Sequence, residues 1–266
     1  MIDGSFKCPK PNSRYAVDRV KKTAQYSPDY FGITGLKGSG LGVSVCVIDT
    51  GYPKHKDIPC SMDQVIDFTG SSHGALDVHG HATGIAGVLK GHGDIVGMTP
   101  SASIHYAKAI NDQGQGNHGA VQASILYAIV QQVDIIVMAF GSDVRHPLLK
   151  DVIKKAYNSG ICLFAASGNV SSKKRDMLFP AKFEHVVSVG YSGSKNIGKI
   201  KEDAPGIAFP FKSLDTTFKN DRYIKMSGTS IATPVAAGIA ALIIQNNKKR
   251  PEPKEVYRQI MAYCKS

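Results

Sequence analysis

A chain of 266 residues, 42% hydrophobic and 20% charged, has an ordinary globular composition and enough length to bury a sizeable core. No apolar run approaches the roughly 20 residues needed to cross a bilayer. The longest, residues 231–244, is interrupted by Thr233 and Pro234, so no membrane partner is expected. A formal net charge of +11 suggests nucleic acid, but the basic clusters (Lys21-Lys22, Lys173 to Arg175, Lys248 to Arg250) are short and lack interleaved aromatics. That argues against specific nucleic-acid recognition.

The opening segment, MIDGSFKCPKPNSRY, is polar and lacks the apolar middle of a signal peptide. Headed by Met, the chain reads as a complete cytoplasmic product; a secreted mature form with an added Met is the competing reading. Residues 1–30 read as an extension packed on the surface of a single domain spanning 1–266. The five cysteines (Cys8, Cys46, Cys60, Cys162 and Cys264) are odd in number and follow no spacing framework, which fits a reducing compartment.

From residue 43 onward, strand-like and helix-like runs alternate. VSVCVI (43–48), SIHYAKAI (103–110), DIIVMAF (134–140), ICLFAA (161–166) and HVVSVG (185–190) are rich in β-branched residues and lack polar alternation, as buried parallel strands do. Between them, HATGIAGVL (81–89), HGAVQASILYAIVQQ (118–132) and HPLLKDVIKKAYNSG (146–160) read as helices, the last ending at Gly160. This order predicts an α/β fold: a doubly wound, mostly parallel sheet with helices on both faces. In such a sheet, function gathers at the carboxyl ends of the strands.

Four stretches carry pointed chemistry. VSVCVIDTG (43–51) runs a buried strand into Asp49, a carboxylate able to orient a histidine, or simply a turn aspartate. DVHGHATGIAG (77–87) holds His79 and His81 ahead of small residues, Gly84, Ala86 and Gly87, which would let a helix lie tightly against the sheet. A zinc site on His79, His81 and Asp77 lacks a Cys or Glu partner at ligand spacing, so a base at a helix start fits better. FAASGN (164–169) ends a strand at Asn169, whose amide can donate to an oxyanion or serve a turn. SGTSIATPVAAG (227–238) places Ser230 where Pro234 requires a helix to begin, and the apolar run that follows marks that helix as central. The N–H groups there favour developing negative charge, and Gly228 lets a second backbone come close.

In the order Asp, His, Asn, Ser, these motifs resemble the subtilisin-like serine proteases, the subtilase family, over residues 30–262. GTSIATP (228–234) matches the family's serine pattern in full and VCVIDTG its aspartate pattern. DVHGHATGIAG matches its histidine pattern with Ala82 in place of a glycine, and so selects His81 over His79. The resemblance implies a subtilisin-like three-layer sandwich and a serine endopeptidase acting on polypeptides. Ser230 would be the nucleophile, His81 its base, and Asp49 the group that orients His81. Asn169 and the Ser230 N–H would form the oxyanion hole, helped by the Thr229 hydroxyl. Substrate would lie extended between Gly114-Gln115-Gly116 and Ala139-Phe140-Gly141. Phe140, Val170 and Leu178 would line an apolar pocket for the residue before the cleaved bond, although the nearby basic run Lys173 to Arg175 points instead to acidic side chains. The alternatives are a catalytically silent peptide-binding protein, or an enzyme that joins or cyclises peptides with the same residues.

Some positions depart from the family. Gly84 and Val235 stand where it often has histidines, neither of them in the triad. The segment VLKGHGDIVGMT, between Gly87 and Pro100, is shorter than the calcium loop of many members. No cofactor is therefore required and no metal site is carried over, though calcium is admitted. With residues 1–30 alone ahead of the pattern, the chain either folds unaided or relies on a short N-terminal segment, a pro-peptide or an inhibitor partner.

Overall fold

The computed structural model describes residues 6–20, 23–169, 177–191 and 206–263. Its strands, in chain order, are β1 (Phe6–Lys7), β2 (Ala24–Gln25), β3 (Ser44–Asp49), β4 (Val65–Asp67), β5 (Ile95–Val96), β6 (Ser103–Lys108) and β7 (Gln115–Gly116). They continue with β8 (Ile135–Met138), β9 (Cys162–Ala166), β10 (Val186–Tyr191), β11 (Gly206–Phe209), β12 (Ser213–Phe218) and β13 (Arg222–Ser227). The helices are α1 (His81–Lys90), α2 (His118–Val130), α3 (Pro147–Asn158), α4 (Thr229–Asn246) and α5 (Pro253–Tyr263).

Seven strands form one sheet in the order β11-β10-β9-β8-β3-β6-β4, and every neighbouring pair is parallel. Because successive side chains of a strand face opposite ways, each strand feeds two cores. Val45 and Val47 of β3 pack with α1, α4 and α5, whereas Cys46 and Ile48 pack with α2 and α3. Ile135 and Val137 of β8 divide from Ile136 and Met138 in the same way. Apolar character on both faces explains why these strands show no polar alternation. β3 borders the switch point: the chain leaves it toward β4 and β6 on one side, whereas β8, its neighbour on the other side, leads on to β9 in the opposite direction. Its carboxyl end, Asp49, is therefore where the sheet opens a crevice.

α4 runs through the core, with every residue from Thr229 to Ile244 buried. By length and composition it could cross a membrane, but 89% of that window is buried inside the protein, so it is a core helix. Pro234 lies inside it and withholds the N–H that would otherwise bond the carbonyl of Ser230.

Of the small residues of α1 expected against the sheet, Ala86 lies in the core shared with β3, but Gly84 and Gly87 face elsewhere. They meet the antiparallel hairpin β12–β13, which turns at Asn220 and Asp221 in left-handed conformation. Thr216 Oγ1 donates to the Gly84 carbonyl at 2.7 Å, and Thr217 Oγ1 to the Thr83 carbonyl at 2.7 Å. A Cβ on Gly87 would lie 2.9 Å from the Thr217 amide and closer still to both threonine hydroxyls. An alanine in a helix ordinarily gains stability over glycine. Here overpacking decides, and Gly87→Ala should destabilise by about 1–3 kcal/mol. Urea unfolding checks this: the midpoint falls at constant m-value, whereas an unchanged or higher midpoint would refute the tight contact.

Candidate active site

The carboxylate of Asp49 is 1% exposed and sits at the end of β3. Its Oδ1 accepts from the Thr50 backbone N–H at 2.8 Å and faces His81 Nδ1 at 2.8 Å. A carboxylate at Nδ1 places the imidazole proton there and leaves Nε2 as the free base. His81 opens α1 and is fully buried, and its Nε2 has no hydrogen-bond partner. Burial pulls the His81 pKa down, but the charge and hydrogen bond of Asp49, with Asp77 behind them, outweigh it and hold the imidazole above its usual value. His79 goes the other way: burial, then the neighbouring His81, lower it.

Asp77 braces this arrangement. It accepts from Gly80 N–H at 2.7 Å, from Thr83 N–H at 2.8 Å and from Thr83 Oγ1 at 2.7 Å, so it caps the first turn of α1. The Thr50 hydroxyl donates to Asp77 at 2.8 Å and accepts from Ala82 N–H at 3.0 Å, tying the end of β3 to the start of α1. Gly80 has φ of 96°, and any side chain there would run into the Phe218 ring.

Ser230 is in the first turn of α4, beside Thr229 and Gly228. Its hydroxyl donates to the Ala139 carbonyl at 2.7 Å rather than to His81. Asn169 Oδ1 accepts from Thr229 N–H at 2.9 Å and Thr229 Oγ1 at 3.3 Å. The Thr229 hydroxyl is thus turned to Asn169, and the Asn169 amide nitrogen is the part of that side chain left to donate. A Cβ on Gly228 would sit 2.8 Å from the Asn169 amide, and its φ of 100° favours glycine as well.

The two rims expected to hold substrate are already paired, with the chain's own N-terminal strap. β1 pairs antiparallel with β7, matching Phe6 to Gly116 and Lys7 to Gln115. Cys8 N–H donates to the Gly114 carbonyl at 3.0 Å. On the other side Lys7 N–H donates to the Gly141 carbonyl at 3.0 Å, and Gly141 N–H returns to the Lys7 carbonyl at 3.4 Å. That register sets Pro9 opposite Ala139. Pro9 has no N–H to give, and the Ala139 carbonyl takes the Ser230 hydroxyl instead. Phe6, expected in a surface extension, is fully buried edge-on to Phe140 (ring centroids 5.3 Å apart) and to His118 (4.9 Å). A pocket of about 390 Å³ opens where Pro9, Gly168, Asn169, Leu178, Thr229 and Ser230 converge.

Asp49, His81, Ser230, Asn169 and Thr229 thus gather at one end of the sheet, with Gly114, Gln115, Gly116, Ala139, Phe140 and Gly141 along the strap. Leu178 packs over Gly141 and Gly168, and Val170 and Lys173 to Arg175 lie outside the described residues. Beyond the expected residues, Asp77 and Thr50 support the site, and so does buried Lys108. Its Nζ reaches the Leu76 carbonyl at 2.8 Å and Asp112 at 2.6 Å, which steadies the loop leading to Gly114. Burial alone would raise the Asp112 pKa, but hydrogen bonds from Lys108, Ser71 and His73 hold it at about 2. The loop after α1, expected to be shorter than a calcium loop, runs beside Asp57. That carboxylate is committed to the Tyr223 hydroxyl at 3.0 Å and to Ile95 N–H at 3.2 Å. No group of three His, Cys, Asp or Glu donors forms there among the described residues.

A family model described as the Subtilase family matches residues 40–262. The chain is 32% identical over 219 residues to subtilisin DY of Bacillus licheniformis, covering 77% of each chain. It is 33% identical over 227 residues to the intracellular serine protease of Paenibacillus polymyxa, covering 77% of this chain and 68% of that one. It is also 32% identical over 217 residues to the minor extracellular protease Epr of Bacillus subtilis (strain 168), covering 79% of this chain. Of these relatives' own length the chain spans from 33%, for Epr, to 77%. One of them is named intracellular and another extracellular. The structure named Sphericase shares the fold, with a TM-score of 0.76 at 24% identity, over 91% of this chain and 90% of that one. By sequence match and by fold, the chain belongs to the subtilase family.

Proposed function

We propose that the protein is a serine endopeptidase in which Ser230 attacks a peptide carbonyl, His81 carries the proton and Asp49 orients His81. The buried 2.8 Å contact between Asp49 and His81 Nδ1 carries this reading. It leaves Nε2, the atom a general base needs, unpartnered at the rim where α4 presents Ser230. The hydroxyl would turn to that base by rotating about χ1, a change between staggered wells. The Ser230 N–H and the Asn169 amide nitrogen would then receive the oxyanion, aided by the start of α4. Peptide substrate would replace the strap and add a strand between Gly114-Gln115-Gly116 and Ala139-Phe140-Gly141. The pro-peptide role falls to the chain's own residues 6–9. Four free cysteines, Cys8, Cys46, Cys60 and Cys162, support a reducing, cytoplasmic setting.

A phosphonylating serine-hydrolase reagent should label Ser230, and Ser230→Ala should lose about 10⁶ in kcat on a peptide substrate. Labelling elsewhere in folded protein, or cleavage surviving in Ser230→Ala, would sink the proposal. A silent peptide binder would give neither labelling nor cleavage, and a ligase would show joined products by mass spectrometry.

Only neutral His81 can accept the serine proton. Since its pKa lies above the usual 6.5, kcat/KM should fall as pH drops through a value above 6.5. Asp49→Asn removes the charge that lifts it, so the residual activity, down by about 10⁴, should show its acid limb at lower pH. An acid limb that stays in place in Asp49→Asn would contradict this assignment.

The strap should compete with substrate. Phe6→Ala removes its buried anchor and should raise kcat/KM by about tenfold or more. A peptide of residues 3–12 added to that variant should inhibit competitively. Equal rates for variant and parent would show that the strap does not obstruct the cleft.

A further inference from the structure

The strap also delivers a thiol to the catalytic pair. Cys8 Sγ lies 4.0 Å from each carboxylate oxygen of Asp49. One donor atom each from Cys8, Asp49 and His81 lie within 4.8 Å of one another, and all three residues are buried. Among the described residues no other three His, Cys, Asp or Glu side chains come so close. Unpartnered nitrogens point to a ligand independently. His81 Nε2 is buried with no partner, and so are both ring nitrogens of His79. The two imidazoles are 6.2 Å apart, and His79 Nε2 borders Gly114 next to the Cys8 carbonyl.

A thiol 4.0 Å from a carboxylate makes at best a weak hydrogen bond. Burial, and then the charges of Asp49 and Asp77, push the Cys8 thiol well up, so a lone thiolate is disfavoured. A divalent cation reverses that balance, because it is the largest local charge wherever it binds. Thiolate, imidazole and carboxylate together are a zinc donor set. Metal–ligand bonds of about 2.0–2.3 Å require tetrahedral donors about 3.3–3.8 Å apart. The Cys8–Asp49 pair, at 4.0 Å, is near that spacing. The widest pair of the three, at up to 4.8 Å, would close by roughly 1–1.5 Å, and the 2.8 Å Asp49–His81 Nδ1 contact would open. The local sequence around His79 and His81 lacks a sulfur partner, and the fold supplies one from the far N-terminus.

We propose that Cys8, Asp49 and His81, with His79 as the nearest further donor, bind zinc or a similar borderline-soft divalent cation, which latches the strap over the catalytic groups. On binding, an S–metal bond forms as the thiol proton leaves to solvent, and the imidazole coordinates as the neutral base; nothing is oxidised or reduced. The latched ion occupies the groups the peptidase needs, so the bound form is inactive and chelation releases it. The proposal rests on the position of the strap and holds whether or not the chain cleaves peptides.

The test uses the full chain carrying Ser230→Ala, stripped with chelator and titrated with Co²⁺ and then Zn²⁺. We expect one equivalent of cobalt with a thiolate-to-metal charge-transfer band, displaced by one equivalent of zinc. Adding Cys8→Ser should abolish the band and weaken zinc by about 100-fold or more, with near-UV circular dichroism reporting that the fold is kept. If that variant misfolds, the parent still decides, because zinc should slow alkylation of Cys8 but not of the more open Cys60. Cobalt binding without the thiolate band, zinc affinity unchanged in Cys8→Ser, or alkylation of Cys8 indifferent to zinc would each overturn the site. Since Ser230→Ala has no nucleophile, none of these outcomes depends on peptidase activity.

Discussion

The structure is organised around a carboxylate buried at the end of its central strand. Removing Asp49 from water is costly unless the charge meets donors, and an unpaired buried ion costs several kcal/mol. The donors come from the chain that follows: the Thr50 amide directly, and His81 thirty-two residues on. To bring His81 there, α1 must begin at one place and one angle. Asp77 fixes that start through the amides of Gly80 and Thr83, and the hairpin β12–β13 holds the far side of the helix through Thr216 and Thr217. Satisfying one charge therefore places α1, and α1 in turn places His81.

A second constraint is the backbone of the cleft rims. Gly114 to Gly116 and Ala139 to Gly141 present amides and carbonyls edge-on, and such edges pair with whatever strand reaches them. In this chain the strap reaches them first. Being tethered, it would compete with the proposed peptide substrate at an effective concentration on the order of millimolar, which a free peptide would have to exceed through affinity or concentration. The buried Phe6 adds an apolar anchor to that ladder. On the proposed function, a groove suited to holding peptides is for the same reason suited to holding its own terminus.

Legibility in the sequence followed the range of the interactions. The five expected strands form within two residues of their predicted bounds, the largest differences being the tails of residues 103–110 and 134–140, because each is a run of apolar residues with both faces covered. The start of α4 was readable from Pro234, and the selection of His81 over His79 from a motif. Short edge strands such as β4 (Val65–Asp67) and β11 (Gly206–Phe209) carry too few residues for any periodicity to show. The hairpin β12–β13 has a turn signal at Asn220-Asp221, but its strands alternate too little to stand out beside the apolar runs. The glycines of α1 mark a close contact but not its partner, since Thr216 and Thr217 lie more than 130 residues away. Cys8 beside Asp49 is of the same kind: a contact across 41 residues, set by backbone pairing rather than by any local pattern.

The carbonyl of Ala139 joins the ladder to the nucleophile. A strand in the cleft with an N–H opposite Ala139 can donate to that carbonyl and so displace the Ser230 hydroxyl. On the proposed mechanism the freed hydroxyl turns toward His81 Nε2, a rotation that crosses only a staggered-well barrier. Pro9 withholds this N–H, and the hydroxyl remains on Ala139 at 2.7 Å. One backbone oxygen thereby distinguishes two kinds of occupant. On that reading a peptide that completes the ladder would release the serine, whereas the strap, which cannot complete it, leaves the hydroxyl on Ala139.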